Sequence, residues 1–242
     1  MQSIISIDIG EKNLGWTIAR IKEANLRTLN IRTLEDMKKL EFESGVFDYK
    51  MKRGVEVVKS RVSSLTEFFR AFDLSNLQLA IIERQVPGNH VACELMYAVT
   101  AILYQHTENI VIFDPKLKFT QIGQVYDTSN KKHKKQSILN MYRMVFTDAS
   151  PSFSKLRTIL DRAEKKDDIA DSFNQLIIEL SIEGLITMDL RPIYNTSVAD
   201  EPVFPSRSSR KSRSKVSSRE VELTVVADGV LNSVNSDDEL SE

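Results

Sequence analysis

The chain has 242 residues, 41% hydrophobic and 28% charged, with a formal net charge of -1. This is the profile of a soluble globular protein, long enough for one domain, or one domain plus an appendage. The single cysteine, Cys93, excludes a disulfide framework and a multi-Cys zinc site. An N-terminal apolar run broken at Asp8, with no run near the ~20 apolar residues of a membrane span, predicts an intracellular protein that is neither secreted nor membrane-bound.

Residues 3–9, 14–20 and 25–32 are rich in Ile, Leu and Thr and separated by brief polar breaks, which predicts a three-strand antiparallel meander. Residues 34–50 read as polar and irregular. From Met51 the period changes: Met51, Val55, Val58, Val62, Leu65, Phe68 and Phe72 recur at three and four residues, one face of an amphipathic helix. LQLAIIE (77–83) predicts a buried strand, 89–106 a helix, and 109–115 a strand stopped by Pro115. A basic, irregular stretch then leads to helices at 133–147, 154–163 and 167–183.

This order gives an α/β fold, a mixed sheet with crossover helices on its faces. Residues 1–190 are expected to form the domain. Residues 191–242, with the Ser/Arg-rich run 206–220 and an acidic end, are expected to be largely disordered.

Three features carry chemistry. Asp8 interrupts a first strand that is otherwise aliphatic, either as a turn residue before Gly10 or as a carboxylate offered at a strand end. Glu83 ends the apolar run LAII, where an unpaired charge is costly. Arg84 next to it points to the opposite face, so a Glu83–Arg84 pair is disfavoured. In KKDDIADS (165–172), Asp168 and Asp171 share one helix face. The helix dipole explains Asp167 and Asp168 at an N-terminus, but not a second like charge one turn on. Together these acids suit a site for hard divalent cations and two-metal phosphoryl transfer. His90, His106 and His133 show no ligand spacing and read as ordinary polar residues.

DIGEKNLGW, AIIERQ and KKDDIADS, in that order on a β-β-β-α-β-α-β-α chain, resemble the RuvC-type Holliday junction resolvases of the ribonuclease H-like superfamily. The resemblance runs over about residues 1–186, to the branch of poxviruses and related large DNA viruses first and the fungal mitochondrial resolvases next. It implies a ribonuclease H-like five-stranded sheet, and a homodimer that cuts opposed strands of four-way or branched DNA. It also implies two Mg²⁺ ions per site, for which Mn²⁺ can substitute. Asp8, Glu83, Asp168 and Asp171 match the family's catalytic and metal-binding positions, with Asp167 exchangeable for Asp168 if the helix register differs. Lys165 or Lys166 could compensate charge nearby. Such a protein works inside the host cell, in the cytoplasm where virus replicates or in the nucleus.

Given such a site, residues 116–135 are the expected DNA contact. Lys116, Lys118, Lys131, Lys132, Lys134 and Lys135 face a single acid there, Asp127. Phosphate contacts of this kind position a substrate without reading bases. Gln85 and Asn89, just beyond Glu83, are further candidate contacts. The Ser/Arg run could be a nuclear-localisation patch, a nucleic-acid arm or a phosphorylated segment, and equally an unselected tail.

Three other readings compete. An actin-like sugar kinase or ATPase needs glycine-rich phosphate turns, and none of the eight glycines here is paired, so no nucleotide cofactor is expected. A non-catalytic DNA-binding protein of the same fold predicts missing carboxylates, yet all four are present. A ribonuclease H acting on RNA–DNA hybrids would have the same metal site. The near-neutral total does not exclude DNA. Residues 1–190 carry 26 basic and 25 acidic groups, 191–219 seven and two, and 220–242 none and seven.

Overall fold

Side-chain alternation along the first strand sets the architecture. In β1 (Gln2–Ile9), Ile4 points to one face while Ile5, Ile7 and Ile9 point to the other, and both faces are covered. A computed structural model gives this architecture for residues 1–22, 26–49, 56–126, 130–146 and 151–195. The chain separates into units Met1–Glu201 and Pro202–Glu242, the second wholly outside the described residues.

Five strands form one mixed sheet in the order β3-β2-β1-β4-β5. β1 pairs antiparallel with β2 (Asn13–Ile21), which pairs antiparallel with β3 (Leu40–Asp48). On its other side β1 runs parallel to β4 (Leu77–Glu83), and β4 runs parallel to β5 (Ile110–Phe113). The two parallel connections carry α1 (Val57–Arg70) and α2 (His90–Tyr104). Both helices pack on the same face, through Leu65 and Phe69 of α1 and Leu95, Val99 and Leu103 of α2. That is where successive right-handed crossovers in one direction must place them.

The opposite face is covered by α4 (Asn130–Phe146), α5 (Pro151–Arg162) and α6 (Lys166–Ile182), after a single turn of helix, α3 (Leu117–Thr120). Every residue of α6 from Ile169 to Leu180 is buried, so this helix lies in the core with packing on all sides. It ends at Gly184, whose φ of 73° is left-handed; Leu185 N–H returns to the Leu180 carbonyl at 2.9 Å. Among the described residues no helix is long and apolar enough to cross a membrane.

Two expectations need correction. The third strand is not 25–32 but Leu40–Asp48, within the stretch read as irregular. Leu26–Thr28 is a 3-10 turn, and Ile31 makes only an isolated parallel bridge with Ile186. The alternation Leu40, Phe42, Ser44 is present in β3, with Glu41 and Glu43 between them. Charges on the outward positions of an edge strand deter pairing with another chain and mask the strand pattern. Glu43 is engaged by Arg20 of β2 at 2.7 Å. In addition, the first residues of the segment expected to be disordered form a helix, α7 (Arg191–Asn195), anchored by buried Tyr194. Residues 196–242, including the Ser/Arg run, lie outside the described residues, as do 50–55, where the first long helix was expected to begin.

Candidate active site

Alternation places Asp8 on the face of β1 that carries Ile4 and Ser6, and Glu83 on the face of β4 that carries Leu79 and Ile81. The two strands are adjacent and parallel, with Ile7 in register with Ile82. Asp8 and Glu83 therefore stand side by side at the C-terminal end of the sheet, on the face covered by α6. Arg84 turns away from Glu83 toward Asp114, 3.9 Å off.

α6 is pinned to both strands. The Gln175 amide donates to the carbonyls of Ile7 at 3.2 Å and Ile81 at 3.3 Å. One turn earlier, Asp171 is thereby held over the two strand carboxylates. A second contact fixes the start of the helix. Gly15 lies opposite Asp8 in the β1–β2 ladder, and a Cβ there would fall 2.2 Å from the Asp168 carbonyl oxygen. Only glycine lets the first turn of α6 approach β2 this closely. Asn13, on the same face of β2, donates its side-chain amide to the Asp168 carboxylate.

Lys118 of α3 enters the cluster from beyond β5. It is 1% exposed, and its Nζ lies 3.0 Å from Glu83 Oε1 and 2.9 Å from Asp171 Oδ1. Ser137 Oγ donates to the same Asp171 oxygen at 2.7 Å, and His133 Nε2 lies 3.4 Å from it. The His133 ring is wedged edge-on against Phe119 and Tyr126, with centroids 4.9 and 5.5 Å away.

Asp8, Glu83 and Asp171 thus interact directly around one ammonium group. Asp168 stands at the rim with Asn13, and Asp167 turns aside to an ion pair with Lys134 of α4. Lys166 reaches the Asp161 carbonyl instead of the carboxylates. Lys165 lies close enough to lower the pKa of Asp168, against burial and Asp167.

The titration behaviour follows from this crowding. Burial raises Asp8 well above the usual carboxylate range, and the charge of Glu83, a hydrogen bond to it, and the charge of Asp171 add to the effect. Asp168 is pushed up to about 6 by burial and by Asp167. Burial would raise Asp171 too, but Lys118, His133 and Ser137 outweigh it and hold that carboxyl well below its ordinary range. Lys118 is the mirror case: burial works against its charge, and Asp171, Glu83 and Asp8 more than restore it. Burial first, and then one ammonium among three closely set carboxylates, favour a proton on Asp8.

Carboxylate oxygens without thiols are the donors that Mg²⁺ and Mn²⁺ select. Yet among the described residues no three His, Cys, Asp or Glu side chains are spaced to hold an ion as they stand. Two of the acids, Glu83 and Asp171, hold Lys118 between them.

The basic residues divide. Lys118 is not the exposed phosphate contact expected from its neighbours; it is a buried part of the carboxylate cluster. Lys132, Lys134 and Lys135 are exposed, but on the first turns of α4 and not on a loop, while Lys116 is exposed beside α3. Lys131 belongs to α4 with its side chain outside the described residues, and Asp127 lies outside them altogether. Next to His133, a depression of about 450 Å³ is lined by Phe119, Lys132, Lys135, Gln136 and Arg143. Gln85 folds back toward the Glu83 carbonyl, 3.4 Å away. Asn89 caps α2, its side chain accepting from Ala92 N–H at 3.2 Å.

Sequence reasoning passed over Lys118, His133, Ser137, Asn13 and Gln175 as members of the site. For Lys118 a signal was available: Leu117 and Phe119 beside it mark a turn with a buried side.

A family model described as "Poxvirus A22 protein" matches residues 2–183. Among solved structures, the Fowlpox virus resolvase in complex with its substrate Holliday junction DNA is 18% identical. The match covers 75% of this chain and 99% of that one, with a TM-score of 0.51. The Fowlpox virus Holliday junction resolvase is also similar, at 16% identity, 75% and 99% coverage and a TM-score of 0.47. Thermus thermophilus RuvC follows at 11% identity, 76% and 98% coverage and 0.46. The first of these likenesses is one of fold, the ribonuclease H-like sheet with flanking helices. No curated protein matches the chain.

Proposed function

The chain belongs to the poxvirus A22 protein family, and on that footing we propose that it is a metal-dependent endonuclease that resolves four-way DNA junctions. The observation that carries the reading is the meeting of Asp8, Glu83 and Asp171, from two strands and a helix far apart in sequence, at the end of the sheet. Buried acids are expensive to assemble without a cation or a proton to hold. The fold shared with the Fowlpox virus resolvase, which was solved with junction DNA, supports the same substrate class.

Asp8, Glu83, Asp168 and Asp171 are the groups that would hold Mg²⁺ or Mn²⁺, two ions per site in this reading. When bound, such ions supply the Lewis acidity that phosphodiester hydrolysis requires. The chain's own residues do the rest. Gln175 and Gly15 set the distance between α6 and the two strands, and Asn13 fixes the orientation of Asp168. Ser137 and His133 orient Asp171. Lys116, Lys132, Lys134 and Lys135 supply the charge that holds the DNA backbone. Asp167 tempers Lys134 through its ion pair. A junction presents two opposed strands, so a homodimer with one cluster per protomer completes the reading. It acts inside the host cell, in the cytoplasm where viral DNA replicates.

The test is one assay offering a synthetic four-way junction, a linear duplex and an RNA–DNA hybrid, each with and without Mg²⁺. Paired, symmetric nicks in the junction alone, dependent on Mg²⁺, are expected. Preferential cutting of the hybrid would replace the proposal with a ribonuclease H activity. Metal-independent binding of the junction without cutting would reduce the protein to a DNA-binding one.

A further inference from the structure

The depression of about 450 Å³ beside His133 is not accounted for by a metal site. Its size falls in the range of sites that enclose a small molecule, ~300–1,000 Å³. Resting on the junction-cleaving reading above, we propose that it receives one unstacked nucleotide from the branch point of the DNA. The base lies against the apolar lining, and the flanking phosphates meet the lysines and the arginine.

Three observations point to this occupant. The first is how the depression is built. Lys132, Lys135, Gln136, Leu139 and Arg143 recur at intervals of three and four along α4 and so share one face of it. Phe119 of α3 and Val125 complete that lining next to His133.

The second is the mixture of chemistry. Three of the lining side chains are cations and, among the described residues, none is an acid, which suits the phosphates on either side of a nucleotide. Phosphates do not explain the rest. Val125 is 88% exposed, and Leu139 and Phe119 add further apolar surface. The outer surface of a duplex is sugar and phosphate, with nothing apolar to cover Val125. An unstacked base has two flat faces and a hydrogen-bonding edge. The Gln136 amide donates to Asn140 Oδ1 at 2.9 Å, and its carbonyl oxygen can accept from a base amino group.

The third is position. His133 belongs to the lining and lies 3.4 Å from Asp171, so a nucleotide held there is next to the carboxylate cluster. Unstacking costs least where the duplex is already disturbed, as it is at a crossing of strands. The depression thereby favours branched DNA over linear duplex without reading its sequence.

A four-way junction carrying 2-aminopurine, at a branch nucleotide or in the middle of an arm, tests this in EDTA. Saturating wild-type protein should raise the fluorescence at least ~3-fold at a branch position, as extrusion from the stack does, and leave the arm probe unchanged. Val125→Ser with Gln136→Ala removes apolar surface and the edge contact but keeps all three cations. It should lose most of that rise while the salt dependence of junction binding stays as in wild type. A rise of wild-type size in this variant would place the unstacked base elsewhere and overturn the proposal. So would a bound junction with no rise at any branch position.

Photocrosslinking of wild-type protein to 5-iodouridine at the same branch position gives a second reading. The cross-link, mapped by mass spectrometry, should fall within residues 119–143, and one confined to other segments contradicts the proposal. Neither measurement involves cleavage. A protein that unstacks the branch base yet cuts no junction in Mg²⁺ would remove the nuclease reading and leave this one standing. One that cuts junctions without unstacking a base would do the reverse, and one that binds no junction removes both.

Discussion

The two faces of the sheet are built from the same strands and do different work. Under α1 and α2 the contacts are mainly apolar: Ile5, Ile7, Ile9, Leu14, Ile18, Ala80 and Ile82 meet Leu65, Leu95 and Val99, and the buried polar side chains there include the hydroxyls of Ser3, Ser60 and Ser64. Under α6 the face begins in the same way, with Ile4, Ala19, Ile21, Leu79 and Ile81. Toward the C-terminal ends of β1 and β4 it then turns polar, through Thr17, Asn13, Asp8 and Glu83 facing Ser172, Asp168 and Asp171. Alternation is what allows this division. A single strand can give one side chain to an apolar layer and the next to a polar cluster, and Ile7 and Asp8 do so as neighbours.

If the division is real, substitutions on the two faces fail in different ways. Asp8→Asn and Glu83→Gln should reduce the rate of junction cleavage by ~10³-fold or more, the scale of losing several kcal/mol of metal-borne stabilisation. Junction affinity, measured by gel shift without Mg²⁺, should persist. Cleavage at the wild-type rate would break the assignment. Leu95→Ala, on the apolar face, should cost ~2–5 kcal/mol in urea unfolding, as buried large-to-small changes do. The folded fraction should still cut at near the wild-type rate.

Gly15→Ala sharpens the comparison, because it adds only a methyl group on the α6 face. That methyl meets backbone of the first turn of α6 and cannot be accommodated by a side-chain rotation. Displacing the carboxylates by about 1 Å should cost ~10²-fold in rate. The smallest effects belong to the surface. Lys132→Ala with Lys135→Ala should weaken junction binding a few-fold and flatten its dependence on log salt concentration by ~1 for each phosphate no longer neutralised. The rate at saturating enzyme should be unchanged. An unaltered salt slope would place the DNA elsewhere on the molecule.

The apolar segments were the most legible. β1, β2, β4, α2 and α6 follow from aliphatic runs and helical periods, which report burial directly. β3 escaped because an edge strand is half exposed, and Glu41 and Glu43 gave it the composition of a loop. Within the site, Asp8, Glu83, Asp168 and Asp171 stood out because each acid interrupts an apolar pattern or repeats along a helix face. Lys118 did not, since a lysine among other lysines reads as solvated and its burial depends on α3 packing against α6. His133 was passed over for a related reason. Its closeness to Asp171 comes from packing α4 on α6 and leaves no mark in local spacing. The contacts of Gln175 with two strands are likewise visible only once the helix lies across the sheet.

The central claim is that the polar end of the α6 face is the catalytic centre. Anomalous scattering from a crystal grown with Mn²⁺ tests it most directly. The account predicts Mn²⁺ peaks bounded by Asp8, Glu83, Asp168 and Asp171. Mn²⁺ bound elsewhere on the protein, with those four carboxylates free of it, would contradict the account.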